Sequence, residues 1–311
     1  MPATAVILAA GIGTRMKSDL PKVLHPLLGE PMITYVVRAL RAAGAERILA
    51  VLGHGGALVE KALGADIIPV YQEQQLGTGH ALLLALPQLL SLGEDDCLVV
   101  CGDTPLLTGE TLAGLRRRRL ETAAAAAVLT AVVENPSGYG RIVAEGDEIK
   151  AIVEEKDSDV SQRLIREVNG GAYCFDLPSL RRALEQLRPA NAQGDYDLTD
   201  GIHYLGAAGR RVVACRAPAA EIAGVNDRAQ LAQAQSYLRQ RILERHMLAG
   251  VTVEDPLSTF VGPLAEIGRD TVLEPGVQLL GATVVGPNCR LGPRSRITDC
   301  RIGAGTTVDQ S

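Results

Sequence analysis

Apolar residues recur at every sixth position near the end of the chain: Ile267, Leu273, Leu279, Val285, Leu291 and Ile297, with Ile302 one residue early. Gly follows at 268, 286, 292 and 303, and small or β-branched residues stand four positions after the apolar one, at Thr271, Val277, Thr283 and Ser295. This hexapeptide pattern predicts a left-handed parallel β-helix, in which each group of six forms one face of a triangular coil. An irregular Gly/Pro-rich tail would not hold the period through six consecutive positions. About two and a half coils follow Ile267, and Ser311 arrives with no polar capping segment, so a shortened polypeptide is expected.

The first two thirds has another rhythm. Short apolar runs at Ala5–Leu8, Ile48–Leu52, Ile67–Val70 and Leu98–Val100 predict strands. Helical patterns lie between them at 31–43, 79–90 and 108–120, with Val, Leu and Ala at three- and four-residue spacings. That alternation predicts a doubly wound, Rossmann-like α/β domain with a mainly parallel sheet. From 124 to 175 the pattern turns β-rich, which suggests strands inserted as a lid on the substrate side. Residues 228–249 carry no Gly or Pro and are rich in Ala, Gln, Leu and Arg, so they predict a connecting helix. The expected organisation is an α/β domain over 1–227, a linker helix over 228–250 and a β-helix over 251–311.

A net charge of −5, no Trp and only two Phe leave neither the basic footprint nor the aromatic platforms of nucleic-acid binding. The apolar start has no basic n-region and the longest apolar run is too short to span a bilayer, so no membrane partner is expected. Six Cys without a CxxC pair predict reduced thiols and a cytoplasmic protein.

Directly after the first strand stands Leu8-Ala9-Ala10-Gly11-Ile12-Gly13-Thr14-Arg15-Met16, with Pro21-Lys22 shortly beyond. Met16 defeats both the dinucleotide fingerprint and the P-loop pattern. Gly11 and Gly13 can still take positive φ and aim backbone N–H groups at a polyanion, while Arg15 and Lys22 supply charge; a triphosphate is the natural guest. Asp103 falls just past a central strand, where open α/β sheets place ligands.

The segment 8–27 resembles the signature of sugar-1-phosphate nucleotidyltransferases. Together with QEQQLGTGH (72–80), GDTP (102–105), GYGR (138–141), IVEEKD (152–157), NAQGDYDLTD (191–200) and GVND (224–227), it is similar to the bifunctional bacterial N-acetylglucosamine-1-phosphate uridyltransferase/glucosamine-1-phosphate acetyltransferases. The resemblance implies that Leu8, Ala10, Gly11, Gly13, Gln72, Gln75, Gly77 and Thr78 hold UTP and that Arg15 and Lys22 are catalytic. It implies that Gly140, Glu154 and Asn169 contact N-acetylglucosamine 1-phosphate, that Asp103 and Asn226 bind Mg²⁺ with Asn226 also at the substrate, and that the coils could carry a homotrimer. Tyr139 and Lys156 would be supporting residues. The family's acetyltransferase site lies on later coils, so no acetyl transfer is expected from this polypeptide. A related enzyme using glucose 1-phosphate, with UTP or dTTP, and a noncatalytic regulatory subunit remain alternatives.

Gly170 and Cys101 depart from the family's usual Thr and aromatic residue, which bears on sugar specificity. Arg116–Arg119 reads as a solvated helix face beside the negative dipole end. None of the five His has ligand spacing.

Overall fold

A computed structural model describes residues 3–93, 95–188 and 195–309. The chain forms two units, one running to Asn226 apart from a short excursion at Pro26–Pro31, the other made of that excursion and the chain from Asp227 onward.

In the first unit, β1 (Ala3–Ala9) is followed, after the excursion strands β2 (Pro26–Leu27) and β3 (Glu30–Pro31), by α1 (Met32–Ala42), β4 (Ala45–Leu52), α2 (Gly56–Leu63), β5 (Ile67–Tyr71), α3 (Thr78–Leu92), β6 (Asp96–Cys101) and α4 (Gly109–Thr122). Then come β7 (Ala126–Val132), β8 (Arg141–Glu145), β9 (Glu148–Val153), β10 (Glu167–Asp176), α5 (Leu177–Gln186), α6 (Leu198–Ala207) and β11 (Val212–Arg216). Nine strands share one sheet in the order β5-β4-β1-β6-β10-β7-β11-β9-β8. The β5-β4-β1-β6 half is parallel, and β10 runs antiparallel between β6 and β7.

Strand alternation sorts the core onto two faces. Val6 packs with Leu82, Leu180 and Ile202 of α3, α5 and α6, while Ala5 and Ile7 pack with Val36 and Leu112 of α1 and α4. With helices over both faces, strands such as β1 must be apolar throughout, which is why they read as unbroken runs. The strand order reverses at β1, with β4 on one side and β6 on the other, so a crevice opens beyond the carboxyl ends of β1 and β6. The Gly102 N–H donates to the Leu8 carbonyl at 2.9 Å and ties the two ends together.

The 124–175 region differs from its expectation. Its strands β7 and β10 continue the central sheet, and β8 and β9 close its far edge; they form no separate lid. Buried apolar residues on both faces of β7 explain why, since a lid strand would leave one face to solvent. The sheet is accordingly mixed rather than mainly parallel.

The second unit contains α7 (Arg228–Leu248), started by the Asp227 carboxylate accepting from the Gln230 N–H at 2.8 Å. Ten short strands follow: β12 (Thr252–Val253), β13 (Phe260–Val261), β14 (Glu266–Ile267), β15 (Val272–Leu273), β16 (Gln278–Leu280), β17 (Val284–Val285), β18 (Arg290–Leu291), β19 (Arg296–Thr298), β20 (Arg301–Ile302) and β21 (Thr307–Val308). They sort into three all-parallel sheets, β12-β15-β18-β21, β13-β16-β19 and β14-β17-β20. Partners such as Glu266↔Val284 and Gln278↔Arg296 lie eighteen positions apart, whereas Val284↔Arg301 and Arg290↔Thr307 lie seventeen apart. That missing residue is the early Ile302. The gap falls in the turn between Thr298 and Arg301, where Asp299 takes left-handed φ 52°, as Gly281 does at φ 61° eighteen positions before, and accepts from the Ala282 N–H at 2.9 Å.

The positions four after each apolar residue point inward: Thr271, Thr283 and Ser295 are fully buried. Their hydroxyls donate to the carbonyls of Gly286 (2.9 Å), Leu280 (2.6 Å) and Gly292 (2.9 Å). Small polar residues are tolerated inside because each hydroxyl finds a carbonyl within the coils. The excursion belongs to this unit, with Leu27 and Leu28 buried and Gly29 facing the Leu280 side chain.

Candidate active site

A cavity of about 300 Å³ opens at the strand-order reversal. It is lined by Leu8, Ala10 and Gly11 from the end of β1, by Lys22, by Gln72, Gln75, Gly77 and Thr78 before and at the start of α3, and by Asp103 and Asp195. Gln72 is buried, and its carboxamide nitrogen sits 3.2 Å from the Gly77 carbonyl and 2.9 Å from His80 Nδ1. Gly77 has φ 97° and ψ 175°, a region essentially reserved for glycine. A Cβ there would lie 2.6 Å from the Tyr196 carbonyl oxygen. That close approach lets the Tyr196 N–H donate to Leu76 O at 2.8 Å and the Gly79 N–H donate to Tyr196 O at 2.7 Å, pinning the helix start.

Lys22 begins a single 3-10 turn, Lys22–Leu24. Gly13, at φ 68°, leaves room for its stem, because a Cβ there would stand 2.6 Å from Lys22 Cβ. The Lys22 ammonium pairs with the Asp103 carboxylate and donates to Asn226 Oδ1 at 3.1 Å. Asn226 reaches this point because the neighbouring Val225 N–H donates to the Asp103 carbonyl at 2.9 Å. Two hard oxygens from distant parts of the chain thus converge on one cation position. That donor set fits Mg²⁺, which takes few protein oxygens and fills its shell with phosphate and water.

A second cavity, of about 460 Å³, shares Thr78 and Cys101 with the first and is lined by Glu154, Lys156, Asn169, Tyr173, Asp197 and Thr199. Burial, reinforced by the charge of Asp197, pushes the Glu154 carboxyl above the usual range, against the Thr199 hydroxyl donating to it at 3.3 Å. The Gly140 carbonyl accepts from the Asn169 N–H at 2.8 Å, and a Cβ at Gly140 would meet Ile152, Glu154 and Asn169. The Gly140 backbone therefore lies against Glu154 and Asn169 without itself lining the cavity. Burial, with help from Asp103, pushes the Cys101 thiol up to about 12, so it stands here as a neutral wall residue.

Most of the predicted residues converge, with exceptions. Arg15 lies exposed on the turn Thr14–Met16 and does not line either cavity. Gly11 does not take positive φ; only Gly13 does, because the sharp turn falls at the entry to Thr14–Met16. Arg116–Arg119 is not a solvated face throughout: Arg116 and Arg119 pair with the buried carboxylate of Asp96 at the start of β6, which would otherwise be an uncompensated charge. Tyr139 and Lys156 fall beside the second cavity's residues in sequence, and Lys156 lines it. Residues 191–194 of the quoted motif lie outside the described residues. Sequence reasoning assigned no role to Tyr173, Asp195, Asp197 or Thr199. The DYDLTD segment carried three of them, but a run of Asp and Thr before a helix equally signals a cap. Among the described residues no cluster of three His, Cys, Asp or Glu could hold a metal.

Comparison with known proteins bears on the family and the fold. The family model for a MobA-like NTP transferase domain matches residues 5–170. The bifunctional protein GlmU of Geobacillus sp. strain WCH70 is 48% identical over 309 residues, covering 99% of this chain and 67% of that protein. That of Heliobacterium modesticaldum is 47% identical over 310 residues, covering 99% and 68%. This chain thus spans about two thirds of the length of these relatives. Among solved structures, a UDP-glucose pyrophosphorylase complexed with UDP-glucose superposes with TM-score 0.64 at 20% identity, over 78% of this chain and all of that one. The UDP-glucose pyrophosphorylase from Acinetobacter baumanii gives 0.60 at 23% identity, over 78% and 99%. At those identities the two structures speak to the fold alone. With the nucleotidyltransferase model matched over half the chain and close relatives aligned over nearly all of it, the chain belongs to the GlmU family and carries its nucleotidyltransferase domain.

Proposed function

We propose that this chain transfers UMP from UTP to N-acetylglucosamine 1-phosphate, giving UDP-N-acetylglucosamine and pyrophosphate. One observation carries the reading. A single cavity joins the end of β1, the Gln72–Thr78 segment and the Lys22–Asp103 pair, on which Asn226 also converges, and it adjoins a second cavity walled by Glu154 and Asn169. A uridine fits against Gln72, Gln75, Gly77 and Thr78, its phosphates against the loop and Lys22, and the sugar against Gly140, Glu154 and Asn169. Six cysteines, all free, support a cytoplasmic site of action; among the described residues no helix is long and apolar enough to cross a membrane. The three stacked parallel sheets support reading the second unit as a left-handed β-helix of hexapeptide repeats.

In the reaction an oxygen of the sugar phosphate attacks the α-phosphorus of UTP in line. As that P–O bond forms, the bond from the α-phosphorus to the oxygen bridging towards the β-phosphorus breaks, and pyrophosphate leaves with the electron pair. No covalent enzyme intermediate is needed. Asp103 and Asn226 would hold Mg²⁺, which supplies charge neutralisation on the phosphates. Lys22, whose ammonium sits on these two oxygens in the structure, would turn its charge to the phosphates when the metal is bound, and the two cavity walls orient nucleophile and electrophile, so the protein's part is positioning and electrostatics. Arg15, exposed at the loop, would meet the outer phosphates.

The test is pyrophosphate release by the purified chain with UTP, Mg²⁺ and either N-acetylglucosamine 1-phosphate or glucose 1-phosphate. Metal-dependent release that prefers the acetylated sugar and stops with EDTA is expected. Preference for glucose 1-phosphate would move the assignment to a related pyrophosphorylase, and no release from folded protein would favour a noncatalytic subunit.

A further inference from the structure

In a regular strand, residues i and i+4 face the same way but stand about 13 Å apart. Asn169 and Tyr173 of β10 break that rule: the Asn169 Nδ2 donates to the Tyr173 hydroxyl at 2.7 Å. The cause is a bulge. Asn169 pairs with Thr130 and Tyr173 with Val128, so four steps along β10 match only two along β7. The surplus loops out at Gly170 and Gly171. Gly171 takes φ 68°, and a Cβ at Gly170 would lie 2.7 Å from Ile222 Cγ2 and 2.9 Å from the Leu129 carbonyl oxygen. Glycine at 170 is thus required by the packing of Ile222 in this chain.

The bulge also turns the Gly171 N–H back onto Asn169 Oδ1 at 3.1 Å. A flipped carboxamide would set two donors against each other there, so Gly171 decides which end of the side chain is oxygen. Tyr173 decides where the nitrogen points. Its ring is buried and stacks on Phe175 with centroids 5.7 Å apart, so the hydroxyl is a fixed mark. Both residues line the second cavity, and Asn169 keeps one N–H for a ligand acceptor.

We propose that Tyr173 is a positioning residue that aims the Asn169 carboxamide, and through it sets the preference for a sugar phosphate bearing an amide carbonyl. The proposal rests on the second cavity being the sugar site. Tyr173→Phe removes one oxygen and keeps the ring, so the fold should survive. With N-acetylglucosamine 1-phosphate, KM should rise roughly tenfold, the scale of one hydrogen bond, with kcat within about threefold. Glucose 1-phosphate should be nearly unaffected, so the ratio of the two kcat/KM values should shrink. Asn169→Ala should shrink it as well, and adding Tyr173→Phe to it should do little more. Equal losses with both sugars, or none with either, would overturn the proposal. The aim of the carboxamide is read independently from the Asn169 side-chain NH₂ resonances, assigned by their absence in Asn169→Ala. The Phe variant should shift both, and unchanged resonances would also overturn it. If the wild-type chain releases no pyrophosphate, the functional assignment falls while the resonances still decide the role of Tyr173.

Discussion

At the scale of single residues, Glu154 carries a conflict between stability and use. Burial and Asp197 raise its carboxyl, so the folded chain holds that proton more tightly than the unfolded chain does. Glu154 therefore favours folding below the ordinary carboxylate range, and that benefit is lost as pH rises through its raised pKa. Glu154→Gln should raise Tm at about pH 7.5 and leave it nearly unchanged at about pH 4, while turnover falls. A lower Tm at the higher pH would contradict this; thermal melts at the two pH values decide it. Lys22 is held differently, since its ammonium has both Asp103 and Asn226 as partners and its stem rests in the space left by Gly13. Sequence motifs flagged each of these groups, because charged and amide side chains beside glycines are conspicuous. Tyr173 and Thr199 escaped notice for the opposite reason: a tyrosine in an apolar strand and a threonine in the first turn of a helix look like ordinary packing and capping.

At the scale of elements, the start of α3 is held largely by backbone hydrogen bonds, with the Gln72 carboxamide on the Gly77 carbonyl beside them. It has no side-chain cap; Gly77 and the two links to Tyr196 do that work. Gly77→Ala should cost about 1–3 kcal/mol from the backbone conformation, before any clash with the Tyr196 carbonyl, and should weaken uridine binding along with it. Urea unfolding measures the first and nucleotide titration the second; an unchanged denaturation midpoint would refute the account. Periodicity made the strands of the parallel half, the long helix α7 and the sixfold repeat legible, since each follows from a regular pattern of burial. It could not place β7 to β10. Their pairing joins residues far apart in sequence, and a bulged strand such as β10 carries no regular alternation. The single-residue deletion before Ile302 was visible as a lapse in period, yet which turn takes it up, the one between Thr298 and Arg301, emerges only from the strand pairing.

At the scale of the whole molecule, neither unit is a continuous stretch of chain, because Pro26–Pro31 leaves the first and joins the second. Leu27 and Leu28 are buried there, and the Leu28 carbonyl lies 3.2 Å from where a Cβ on Gly262 would be. A fragment ending at Asn226 should therefore expose this hairpin and aggregate, and replacing residues 26–31 of that fragment with a Gly/Ser linker should restore solubility. Sedimentation of the two fragments tests it, and equal solubility would count against the assignment of the hairpin. A related constraint governs the site itself. Lys22 and Asn226 are separated by 204 positions. A ribosome adding roughly 5–20 residues per second needs on the order of 10–40 s to pass from one to the other. Through that interval the nascent chain already carries the β1 loop but has neither oxygen of the pair that would hold the metal until Asp103 is made, and only one of them from there to Asn226. Chemistry at the β1 loop is thereby deferred until translation has delivered the last residue of the first unit, and a chain interrupted anywhere before that residue is left without the complete site.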